Sequence, residues 1–73
     1  MNTDAIRREM ERKLHEASSK GDWKRVRSAA VEARMKLDNL GTGGVSAAEL
    51  EKRREMRDKC NETIAFLDRH KAK

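Results

Sequence analysis

The chain has 73 residues, of which 18 are Lys or Arg and 13 are Asp or Glu, a charged fraction of 42% with a net charge of +5, against roughly 25% in ordinary soluble domains. Leu, Ile, Val and Phe together number only 11, below the ~20% of the chain at which disorder becomes a serious alternative, so one small core is the most that can form. No apolar run approaches the ~18 residues of a membrane span, the early Asp4, Glu9 and Glu11 argue against a signal or transit peptide, and the lone Cys60 excludes an internal disulfide. The expectation is a soluble, cytoplasmic chain that makes no use of a membrane.

There is no proline, and Ala, Glu, Lys and Arg dominate, which favours helix over strand. Gly21 with Asp22, and then Asn39 to Gly44, break the chain into three. In the first segment Ile6, Met10, Leu14 and Ala17 step by four, four and three residues and so line one face of a helix over about residues 4–19. Thr3 is its expected N-cap, and Gly21 its stop.

In the second segment Trp23, Val26, Ala30, Ala33, Leu37 and Leu40 step alternately by three and four, a heptad-type seam over about residues 23–39. Asp22 can cap it. Ala29, Ala30 and Ala33 let a neighbouring helix come close, while Val31 and Met35 form a second, flanking stripe, which predicts that this helix lies between the other two.

The third segment opens on Ser46-Ala47-Ala48-Glu49, a capping box, with Val45 and Leu50 at the positions of a hydrophobic staple. Leu50, Met56, Cys60, Ile64 and Leu67 then follow one face over about residues 47–71, interrupted at Arg53 and Arg54. His70, Lys71 and Lys73 suit the negative end of the helix dipole. The predicted fold is therefore all-α: a single domain over residues 1–73, a three-helix bundle running antiparallel up-down-up, with a longer third helix and a flexible glycine-rich connector at 40–45. With equal ends, Trp23 would face the region of Thr63, and the last two turns of the third helix, with Ile64, Phe66 and Leu67, would overhang. They would then either cover the turn around Ser19 to Trp23 or await another chain.

Catalysis requires a nucleophile or base with an orienting partner, and His15, His70 and Cys60 stand at no spacing that supplies one. His15 beside Glu16 reads as a solvated helix residue, His70 as a dipole-compatible last-turn residue, and Cys60, four residues from both Met56 and Ile64, as a small hydrophobe of the core. No ligand set for a metal and no cofactor site is expected, and no enzyme. Gly41-Thr42-Gly43-Gly44 before a capped helix superficially resembles a phosphate loop, but no strand precedes it and no lysine stands at the Walker position, so it reads as a connector.

The positive excess is +1 over residues 1–20, +2 over 21–40 and +2 over 41–73. Spread so thinly, it argues against a dedicated phosphate-binding face. The candidate nucleic-acid contacts are Lys20, Lys24, Arg25 and Arg27 at the start of the second helix and Arg53, Arg54 and Arg57 on the third, beside Glu49, Glu51, Glu55 and Asp58 at helix-pairing distances.

Gly21-Asp22-Trp23 followed by Val26, Ala30 and Ala33 resembles the second helix of a tetratricopeptide hairpin, over about half of the chain, and the first helix departs from that pattern. Residues 23–70, two helices joined by a glycine turn, are similar in layout to the small helical hairpins of secretion co-chaperones. Such likenesses imply helical layout and leave function open.

Thin apolar content makes an isolated monomer marginal, and the natural remedy is a second chain. The function expected is a small, basic, non-enzymatic accessory protein, an adaptor, chaperone-like or inhibitory module for protein-protein interaction. Its partner would be a second copy in a homodimer (homo-oligomer) or another helical protein, met through Trp23, Val31, Met35, Ile64, Phe66 and Leu67. The alternative is a nucleic-acid-binding regulator using the seven basic residues named above.

Overall fold

A computed structural model of the chain describes residues 2–41 and 43–70. These form three helices, α1 (Thr3–Ser19), α2 (Trp23–Asn39) and α3 (Ala47–His70), with no strand among the described residues. The whole measures 41 × 21 × 16 Å.

Each boundary has a local cause. α1 is capped by Asn2, whose side chain accepts from the Ala5 amide at 2.8 Å. The expected cap, Thr3, is instead buried, and its hydroxyl donates to the Glu49 carboxylate of α3. Asn2 and Thr3 are both capping types, and the tertiary contact decides between them. α1 stops in a Schellman turn: the Asp22 amide donates to the Ala17 carbonyl at 2.9 Å and the Gly21 amide to Ser18 at 3.0 Å, with Gly21 at φ 69°. That left-handed conformation is why glycine stands there. One residue on, Asp22 accepts from the Arg25 amide at 3.2 Å and starts α2. At α3 the Ser46 hydroxyl accepts from the Glu49 amide at 3.2 Å, one half of the expected capping box, while the Glu49 carboxylate accepts from Thr3.

α2 packs against both neighbours, and α1 touches α3 much less. Its small residues make this possible: Ala29, Ala30 and Ala33 are all buried. One apolar cluster joins Ile6 and Met10 of α1, Ala30, Ala33 and Leu37 of α2, and Met56, Cys60 and Ile64 of α3. A smaller one joins Ala17, Val26 and Leu67, with Leu14 packed against both.

The polar pairs reveal the register. Lys13 with Glu32 and Lys36 with Glu9 progress in opposite directions along α1 and α2, as do Arg27 with Asp68, Arg34 with Asn61 and Arg57 with Asp38 along α2 and α3. This register puts Arg27 level with Asp68, whereas Trp23 facing Thr63 would put it level with about residue 59. The equal-ends expectation is therefore displaced by about nine residues, or ~14 Å of helix. The unmatched length of α3 lies at its start, beside Asp4 of α1, which Lys52 approaches at 3.6 Å, and beside the connector, where the Arg53 guanidinium donates to the Gly41 carbonyl at 2.9 Å.

The overhang expected for Ile64 and Leu67 is accordingly absent. Both are buried, at 7% and 3% exposure, and Leu67 closes over Ala17 and Val26 next to the α1–α2 turn. Thr42 of the expected connector, and Lys71 and Lys73 at the expected end of the third helix, lie outside the described residues.

Candidate interaction surface

Of the six apolar residues expected at an interface, Ile64 and Leu67 belong to the core. The other four stay accessible to different degrees. Met35 is 58% exposed, Phe66 54%, Trp23 37%, and Val31 is half-buried against the main cluster. Leu50, read as half of a hydrophobic staple, is exposed too. Val31 and Met35 line an open depression of about 400 Å³ along the outer side of α2, together with Arg27, Ser28, Lys36 and Asn39. Phe66 stands apart on α3, its ring 4.6 Å from that of His70 in the next turn.

The seven candidate basic residues are not brought together. The first group surrounds the start of α2, level with the end of α3; Arg53, Arg54 and Arg57 stand near the start of α3. From Arg53 to Asp68, which marks the level of Arg27, is 15 residues or ~22 Å of helix. Several are already engaged. Arg27 makes a forked pair with Asp68, Nε donating at 2.8 Å and the terminal nitrogen at 3.3 Å, and Arg57 lies 2.7 Å from Asp38. Arg53, at 14% side-chain exposure, is a residue of the seam: its stem fills the apolar face, its tip holds Gly41, and its buried Nε has no hydrogen-bond partner, with Glu49 at 4.0 Å.

Between α1 and α2 the charges form a four-membered ladder. Lys13 lies 3.2 Å from Glu9 and 3.1 Å from Glu32; Lys36 lies 3.0 Å from Glu32 and 3.4 Å from Glu9. Hydrogen bonds from the ammonium groups, Lys13 foremost for Glu9 and Lys36 foremost for Glu32, hold both carboxyls below their usual pKa. Glu32 in turn is the leading cause that raises Lys13 and Lys36 above theirs. Asp68 is likewise held low by the hydrogen bonds from Arg27. Sequence reasoning passed over this ladder, although Glu9/Lys13 and Glu32/Lys36 are both i, i+4 pairs; its cross-helix half requires the register.

Cys60 is 1% exposed, its Sγ 3.4 Å from the Met10 Sδ, and burial foremost pushes its pKa up, which keeps the thiol protonated and unreactive. His15 and His70 are exposed on different helices. Among the described residues no three His, Cys, Asp or Glu side chains are grouped to hold a metal ion, and no helix is long and apolar enough to cross a membrane.

No family model, no curated protein and no solved structure matches this chain.

Proposed function

We propose that this chain is a small non-enzymatic protein-interaction module, an antiparallel up-down-up three-helix bundle that works by presenting helix faces to another protein or to a second copy. The observation that carries this reading is the exposed apolar surface left after the core is complete. Met35 and half-buried Val31 form a continuous apolar step in the open depression on α2, and Phe66 adds a second contact on α3. A chain with so few large apolar residues that leaves these in water gains most from a partner.

The test combines sedimentation of the 73-residue chain at micromolar concentration with affinity capture by wild type, Met35→Glu and Phe66→Ala. A self-associating species or a captured protein, lost in Met35→Glu and reduced in Phe66→Ala, is the expected result. A strict monomer whose captured proteins are indifferent to both substitutions would sink the reading. Ile64 and Leu67 are unsuitable for this purpose, since replacing either opens the core.

The nucleic-acid reading rests on Lys20, Lys24, Arg25 and Arg27 alone, because Arg53, Arg54 and Arg57 stand at the other end of the molecule. It requires binding to an oligonucleotide that weakens steeply with salt, and Arg25→Glu should reduce it.

A further inference from the structure

The fold sorts the sulfur atoms of this chain by their access to an oxidant. Four methionines and one cysteine supply them, and Met1 lies outside the described residues. A cysteine is ordinarily oxidised through its thiolate, in contact with water. Cys60 has neither: it is 1% exposed, its Sγ rests 3.4 Å from the Met10 Sδ, and burial holds its proton on. Met10 and Met56 are 4% and 7% exposed, inside the cluster that all three helices share. Among the described residues only Met35 keeps its side chain in water, 58% exposed on the outer side of α2. The usual order, thiol before thioether, is thereby reversed.

We propose that Met35 is a reversible oxidation site through which a hydroperoxide switches off the apolar step on α2, an inference that rests on the interaction-module reading above. The Met35 Sδ attacks one oxygen of the peroxide: an S–O bond forms, the O–O bond breaks, and the proton on the transferred oxygen passes to the departing hydroxide, which leaves as water. Sulfur is oxidised to the sulfoxide by two electrons and the peroxide is reduced. A flexible apolar side chain becomes a strongly polar one at the centre of the depression that it lines with Val31. The two cations in that lining are already engaged, Arg27 with Asp68 and Lys36 with Glu32 and Glu9, so the new oxygen is left chiefly to water. A partner that docks on Val31 and Met35 has to strip that water away, which weakens the contact. The core takes no part, because the switched side chain lies outside both apolar clusters.

The experiment treats the full 73-residue chain with hydrogen peroxide. Peptide mapping by mass spectrometry should find Met35 oxidised about tenfold or more faster than Met10, Met56 and Cys60, whose sulfurs react only when the core opens. Circular dichroism should show the oxidised chain as helical as before, with the same melting midpoint. Retention on a phenyl matrix should fall to that of Met35→Gln, whereas Met35→Leu should be retained equally with and without peroxide. Methionine sulfoxide reductases acting on both sulfoxide epimers should restore the retention of wild type. Oxidation of Met10, Met56 or Cys60 at the rate of Met35, loss of helix along with Met35 oxidation, or an equal drop in retention for Met35→Leu, each overturns the proposal. A binding measurement separates it from the reading on which it rests. Association that Met35→Glu abolishes should weaken about tenfold when wild type is oxidised and stay unchanged in peroxide-treated Met35→Leu. If Met35→Glu abolishes association and oxidation leaves it intact, the interaction module stands and the switch does not. If association is absent or indifferent to Met35→Glu, both fall.

Discussion

The two ends of this molecule are built on different terms. At the end where α1 and α3 begin and α2 stops, the large cluster from Ile6 to Ile64 is closed by Arg53 on Gly41. At the α1–α2 turn the core thins to Ala17, Val26 and Leu67, with half-buried Leu14 packed against them. A chain this short fills one thick core, and it concentrates its cohesion at one end.

Core truncation is the strongest way to break that comparison. Leu37→Ala in the large cluster and Leu67→Ala in the small one each fall in the range of about 2–5 kcal/mol, and Leu37 should lie near the top of it because its surroundings, fixed by all three helices, collapse least. Chemical denaturation of both variants measures the difference. If Leu67→Ala proved the more damaging, the thin end would be the keystone and the division of labour would be false. Next in size is Arg53→Ala, expected to cost ~1–2 kcal/mol through the lost bond to the Gly41 carbonyl and the lost burial of its stem. Amide exchange should accelerate at the start of α3, with the α1–α2 turn unchanged.

The gentlest probe is pH. Glu9, Glu32 and Asp68 have pKa values depressed in the folded chain, so their contribution is complete above the ordinary carboxylate range of about 4 and disappears as pH falls through the depressed values. Lys13 and Lys36 are raised, so theirs is complete below about 10.4 and is lost as pH rises through the raised values. A plateau of Tm between about pH 5 and 10, falling on both sides, is expected. Glu9→Gln with Glu32→Gln should lower the plateau slightly and flatten both limbs; Asp68→Asn should affect the acid limb alone, and less. An acid limb unchanged in the double variant would show that the ladder between α1 and α2 does not contribute.

Much of this architecture was legible in one dimension because it is written locally. Gly21, the Ser46 to Glu49 box and the three-four stepping of Val26, Ala30, Ala33 and Leu37 each specify a conformation through neighbours a few residues away. What escaped were the features that depend on register. Thr3 looks like a cap until Glu49 is beside it, Arg53 looks like an interruption until Gly41 is within its reach, and Ile64 and Leu67 look surplus only while α3 is aligned with the ends of α2.

The displaced register also sets the chain's exits. Asn2 sits beside the first turns of α3, while His70 finishes level with the α1–α2 turn, so the polypeptide enters and leaves at opposite ends of a 41 Å molecule. Attachment through the start of α1 and through the end of α3 in turn would orient the same three helices in opposite senses on a surface.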